Sequence, residues 1–207
     1  MKKNYSYIGI SFIILIFGIW VVPKVVDRLA KPELETIGQV PNFSFTDQNG
    51  KTITNKDYEN KVYLVEFFFT TCPDICPIMN ENMIKIQNEF LGNPKVGIAS
   101  ITIDPAHDTP EVLKEYAKQK GITKPQWHLL TGERDQIFKL ANEGFNLYVG
   151  ETPDVGAGFE HSGFFALIDQ QGNIRSRKDE HGNPMIYYDG LDDKNIQMLK
   201  EDIKNLL

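Results

Sequence analysis

Residues 62–69 are a nearly continuous apolar and aromatic run, the pattern of a β-strand covered on both faces. Directly behind it stands Thr70-Thr71-Cys72-Pro73-Asp74-Ile75-Cys76-Pro77, followed by residues 77–91, where Met79, Met83, Ile86 and Phe90 recur at helical spacing. Residues 96–103 return to β-branched character. Together these make one β-α-β unit, with both cysteines of the chain at the carboxyl end of its first strand, where parallel sheets place their sites.

The remaining pattern extends that unit. Residues 43–47 and 51–54 flank Gln48-Asn49-Gly50, an Asn-Gly turn signal that predicts an N-terminal hairpin. Thr109-Pro110-Glu111 starts a helix that runs to Lys120 before Gly121, since a hydroxyl cap, a proline and an acid fit the first turn. A short strand is expected at 127–130, a helix at 133–143 and an extended piece at 145–149. A looser segment then carries Gly150, Gly156 and Gly158. Residues 164–168 read as a strand turning at Asp169-Gln-Gln-Gly172, residues 173–190 as extended or irregular, and Asp192 opens a last amphipathic helix. This order predicts an α/β thioredoxin-like fold with an N-terminal β-hairpin and an insertion.

Ahead of the domain, Lys2 and Lys3 precede an uncharged stretch, 5–22, which as a helix would run about 27 Å, near the thickness of a bilayer's hydrocarbon core. Tyr5, Tyr7 and Trp20 lie at its ends, as interface-seeking rings do, and no small-x-small cleavage site follows. The expected organisation is a basic tip (1–4), a single transmembrane signal anchor (5–22), a tether (23–37) and one domain (38–207). Lys24, Arg28 and Lys31 rival Lys2 and Lys3, so flanking charge leaves the orientation open, while the basic tip before an apolar run favours export. The tip is not Arg- and Ser-rich as an organellar transit peptide is, which favours a bacterial cell membrane with the domain on the extracytoplasmic side. With 28 Asp and Glu against 22 Lys and Arg, the chain is acidic, which argues against nucleic acid as a partner.

A domain of this size needs no disulfide staple, so the cysteines are free for chemistry. Backbone N–H groups and the dipole at a helix start favour negative sulfur, so both thiols are expected to have thiolate character. With Cys76 in the first turn ahead of Pro77, the pair lies about one turn apart, inside the about 4.4–6.8 Å Cα window of a disulfide. The two can cross-link or share one soft metal ion; the plainer alternative is a pair of buried structural cysteines.

Of four histidines, His161 is best placed to reach the thiols, at the end of the glycine-containing loop and just before the 164–168 strand. Thioredoxin-like proteins carry a cis-proline at about this point; here the segment is Glu160-His161-Ser162-Gly163. Two thiolates and one neutral nitrogen form a low-coordinate soft site, which suits Cu(I) better than zinc. His107 and His181 lie in polar surroundings and read as solvated, and His128 as packed or at the surface. Asp74 reads as an acid near a helix start, with a weaker role beside the site or facing a partner as the alternative; Met79 reads as core, with a soft axial ligand as the alternative; Gly156 and Gly158 read as slack that lets His161 move. Asp104 and Asp108 bracket a strand-to-helix loop at the cysteine edge of the sheet; Asp104 is a candidate to tune the site or face a partner, with local turn bonding as the alternative.

At this point the chain resembles the Sco/SenC family of membrane-anchored copper proteins. The resemblance rests on Phe45-Thr-Asp-Gln-Asn-Gly50, Asn60-Lys61, Thr71-Cys72-Pro73-Asp74-Ile75-Cys76-Pro77, Asp104-Pro105-Ala-His-Asp108-Thr109-Pro110, Trp127-His-Leu-Leu-Thr-Gly132 and His161-Ser162. Cys72, Cys76 and His161 match the family's copper ligands; Asn60 stands where a glycine is common and Phe69 where a tyrosine is. The resemblance implies a copper metallochaperone that binds Cu(I), with Cu(II) as a second state, outside the cytosol. Its implied task is maturation of the binuclear copper site of cytochrome c oxidase subunit II, with that subunit or another copper chaperone as partner. The alternative is a thiol-disulfide reductase acting through Cys72 and Cys76 on the cysteines of that site or of other exported proteins. A thiol peroxidase is disfavoured, because the hydroxyl expected three positions before its nucleophile is replaced by Phe69.

Overall fold

The computed structural model describes the backbone of residues 6–29, 32–151, 159–179 and 181–207, and the side chains of these apart from 6–8, 23–29, 151 and 159–161. The chain divides into two compact units, Met1–Glu33 and Leu34–Leu207. In the first, helix α1 (Ser6–Leu29) takes in residues 6–22 of the expected anchor, Tyr5 lying outside the described residues, and continues past Pro23 into the expected tether. Its described side chains, within 9–22, include exposed Phe12, Ile13 and Phe17. Among the described residues, no helix is long and apolar enough to cross a membrane.

In the second unit the fold starts at β1 (Leu34–Gln39), inside the stretch read as tether. β2 (Ser44–Asp47) and β3 (Thr52–Thr54) are the expected antiparallel hairpin. β4 (Val62–Phe68), α2 (Ile75–Phe90) and β5 (Val96–Thr102) form the β-α-β unit; the two strands are parallel and every residue in both is buried. α3 (Pro110–Lys120) begins where expected, the Thr109 hydroxyl accepting from the Val112 N–H, and leads into β6 (Trp127–Thr131), parallel to β5. α4 (Arg134–Lys139) is shorter than the 133–143 expectation, because the chain widens into a π-turn over Leu140–Gly144. Asn142 ties that turn forward: its side chain accepts from the Val149 N–H at 3.1 Å and donates to the Val149 carbonyl at 3.0 Å.

The insertion is an antiparallel hairpin of β7 (Val149–Glu151) and β8 (Phe159–His161). β9 (Phe164–Ile168), β10 (Asn173–Arg177), β11 (Tyr188–Asp189) and α5 (Asp193–Leu206), capped by Asp192, complete the unit. The main sheet runs β1-β10-β9-β4-β5-β6-β2-β3, with β11 added to β9. β4 is thus central, parallel to β5 and antiparallel to β9, as a thioredoxin-like sheet requires.

Burial follows the periodicity. α2 turns Cys76, Met79, Met83, Ile86 and Phe90 into the core and packs against α5, while α3 packs against β6 and β2. α5 is pinned at Asp202, which accepts from Arg177 Nε at 2.5 Å and from the Tyr188 hydroxyl at 2.7 Å. Burial pushes this carboxyl up, and the two donors offset part of that cost.

Candidate functional site

β4 ends at Phe68, and the chain then turns through Thr70 and Thr71, the Cys72 N–H donating to the Phe69 carbonyl at 3.3 Å. Cys72 is half-buried; Cys76, in the first turn of α2, is only 4% exposed. The thiols are unjoined and in hydrogen-bond contact. That contact, with burial and the negative charges of Cys72 and Glu66, pushes the Cys76 thiol well up, against the opposing pull of the Phe69 backbone N–H. The expectation of two thiolates is therefore corrected for Cys76. Its sulfur sits below the helix start in a nearly dry place where charge is disfavoured, and the neighbouring sulfur keeps its proton on.

Glu66, a carboxylate in the middle of buried β4, escaped the sequence reading. It accepts from the Ser100 hydroxyl at 2.5 Å, and Ser100 in turn accepts from Trp127 Nε1 at 2.9 Å. Glu66, Cys76, Met79, Tyr116 and Trp127 line one small cavity beneath the thiol pair. The signal was present, since a single acid interrupts the apolar run at 62–69.

Asp74 occupies the N-cap position of α2, exposed, without a side-chain capping bond. Asp104 is a turn residue: its side chain and carbonyl both accept from the His107 N–H, and its carbonyl also accepts from the Asp108 N–H. Asp108 goes the other way. It is fully buried and accepts from the Thr70 N–H at 3.1 Å, the Thr70 hydroxyl and the Thr102 hydroxyl. Met79 is core, 1% exposed, as expected. His128 packs edge-on against Tyr58, with Nδ1 3.3 Å from Asp47; His107 and His181 are exposed.

His161 closes β8, its backbone paired with Val149; its side chain lies outside the described residues, as do Gly156 and Gly158. Because β9 runs antiparallel to β4, the start of β9 lies at the end of β4 from which the cysteines follow. A methyl group built on Gly163 would lie 3.7 Å from Ile75 Cδ1, which puts the strand leaving His161 beside the residue preceding Cys76. Among the described residues, no group of three or more His, Cys, Asp or Glu is arranged to hold a metal ion. Two sulfurs in contact, one of them reachable from the surface, fit a soft metal with low coordination. A groove of about 620 Å³ lined by Pro41, Phe43, Gln136 and Leu140 contains none of these residues.

The SCO1/SenC family model matches residues 32–193. The SCO2-like protein of Rickettsia felis is 34% identical over 189 residues, covering 83% of this chain and 89% of that protein. Among solved structures, copper-bound ScoI of Bradyrhizobium japonicum superposes with a TM-score of 0.65 at 26% identity, covering 82% of this chain and all of the other. BsSco, described with a disulfide switch and as a member of the Sco family of cytochrome c oxidase assembly proteins, gives 0.69 at 26% identity, covering 83% and 95%.

Proposed function

The chain belongs to the SCO1/SenC family, and on that premise we propose that it is a copper metallochaperone of cytochrome c oxidase assembly, serving the binuclear copper site of subunit II. Cys72, Cys76 and His161 hold the metal, as Cu(I) and also as Cu(II). The observation that carries this reading is the thiol pair: two sulfurs in contact at the start of α2, one half-buried and one buried, at the sheet end to which β8 leads. Two cysteine sulfurs, which metal binding deprotonates, and an imidazole suit copper over zinc, and copper in the Bradyrhizobium relative and oxidase assembly in the BsSco family support the assignment. The reading includes a single-pass anchor at 5–22 in a bacterial membrane with the domain outside. The uncharged stretch behind a basic tip supports it.

A second reading rests on the same contact. Cys72 as thiolate attacks a partner's disulfide, Cys76 then displaces the partner's sulfur, and two electrons leave this chain, which keeps a Cys72–Cys76 disulfide. Joining the sulfurs removes both sulfur donors, so oxidation releases copper and reduction readmits it.

The test is a titration of the reduced full chain, in mild detergent, with Cu(I) against a competing chelator. One equivalent bound tightly, lost in Cys72→Ser and weakened in His161→Ala, is the expected result. No competitive binding, or binding indifferent to His161→Ala, overturns the three-ligand site and leaves the reductase reading in first place.

A further inference from the structure

The loop that carries the cysteines is held from outside its own segment. Past the last ladder bond, Ile103 N–H to the Phe68 carbonyl at 2.9 Å, the two chains part, one toward Cys72 and the other toward Asp104. Asp108 returns its carboxylate into that fork. Oδ2 accepts from the Thr70 N–H at 3.1 Å and the Thr102 hydroxyl at 2.5 Å, and Oδ1 accepts from the Thr70 hydroxyl. The carboxylate is fully buried, so all three donors are needed to offset its removal from water.

Asp108 is itself held firmly. Its N–H donates to the Asp104 carbonyl at 2.9 Å, and α3 begins two residues later under the Thr109 cap. On the other side of the fork, buried Phe69 anchors the chain as it leaves β4, but Thr71, Pro73 and Asp74 around Cys72 are exposed, so packing does not hold the turn beyond Phe69. Polar bonds at Thr70 hold it there.

We infer that Asp108 is a positioning residue for the thiol pair: through Thr70 it sets where Cys72 stands relative to Cys76, and so how well the two sulfurs bind one metal or join each other. Where the pair's use as a copper site is concerned, this rests on the function proposed above. Residues that orient ligands from behind typically change metal affinity by about 10–100-fold when altered. A buried carboxylate from a different segment, bonded to the residue two positions before Cys72, is placed to act this way. The Asp-Pro-x-x-Asp-Thr segment then has a use that local turn bonding leaves unexplained, and it belongs to Asp108 more than to Asp104.

The test uses the full chain in mild detergent with Thr70→Val, Thr70→Ser and Asp108→Asn. Three readouts are compared with wild type: Cu(I) affinity by chelator competition, the midpoint of the Cys72–Cys76 disulfide in glutathione buffers, and thermal unfolding of the reduced protein. Thr70→Val keeps the N–H bond and removes the hydroxyl bond. It should weaken Cu(I) binding by about tenfold and move the glutathione midpoint while the unfolding temperature changes little, and Thr70→Ser should restore both. Asp108→Asn should act in the same direction; if it fails to fold, Thr70→Val decides. Wild-type values for Thr70→Val in both chemical readouts, or a Thr70→Ser as impaired as the valine variant, would overturn the inference. If wild type itself binds no Cu(I), the copper reading fails, and the glutathione midpoints alone decide the role of Asp108.

Discussion

Gly190 tests how tightly the strand leaving the His161 region is fixed. Its N–H donates to the Gly163 carbonyl at 2.7 Å, and its own carbonyl accepts from Asn82 Nδ2 at 2.7 Å. A methyl group at this position would lie 2.8 Å from the Gly163 oxygen and 2.9 Å from Phe165 Cζ. Ordinary contacts of this kind begin near about 3.3–3.5 Å, so about half an ångström of overlap must be relieved. Phe165 is fully buried and the Gly163 oxygen is tied into a backbone bond, so neither can swing aside. Overpacking of this sort costs about 1–3 kcal/mol, and the stiffer unfolded chain of an alanine returns about 0.4–1 kcal/mol, for a net loss of about 1–2 kcal/mol in Gly190→Ala. At about 2–4 °C per kcal/mol for a domain of this size, the unfolding temperature should fall by about 2–8 °C. The displaced Gly163 lies beside Ile75, so on the copper reading Cu(I) affinity falls as well. Gly172→Ala separates contact from backbone strain: Gly172 has φ 82° and open space around it, so its loss is the about 1–2 kcal/mol of a left-handed alanine, without a change in copper binding. A Gly190→Ala protein that melts within about 1 °C of wild type would refute the reasoning.

Alkylation of the reduced protein at neutral pH should modify Cys72 before Cys76, because Cys76 is buried and its contact with Cys72 holds the thiol protonated; peptide mapping that finds Cys76 labelled first contradicts this. Thr109→Ala should lose about 0.5–1 kcal/mol in urea unfolding, since the capping bond to the Val112 N–H is long at 3.4 Å, and Thr109→Ser should retain most of it. Asp169 is pushed up by burial, but bonds from the Asn173 and Gln171 N–H groups, the Asn173 side chain and Arg175 outweigh this and hold its carboxyl below 3.8. Its contribution is therefore present above the unfolded value of 3.8 and lost as pH falls below it through the folded value. Asp169→Asn should flatten the acid limb of the stability curve, and an unchanged limb would count against the assignment.

Local signals were enough for much of this molecule. The apolar run at 62–69 became the fully buried central strand, the Asn-Gly turn the β2–β3 hairpin, and Thr109-Pro110 the start of α3, because each depends on residues within a few positions of one another. The family was also readable, since its cysteine motif is contiguous and lies at a strand end. The closeness of Cys72 and Cys76 followed from their spacing together with the helix start marked by Pro77. Long-range pairing decided the rest. β1 became a strand only because β10 offers it an edge far along the chain, and α4 gave way to a π-turn tied by Asn142 to β7. The upward push on the Cys76 thiol required knowing that Cys72 and Glu66 surround it in a buried place. The role of Asp108 could not be read beside its own neighbours, because its partners Thr70 and Thr102 reach it only after β4 and β5 are laid in parallel. Sequence by itself fixes which groups are available and which short segments they sit in. Desolvation and hydrogen-bond satisfaction act between segments, so only the tertiary structure decides which of those groups are charged, held or free to react.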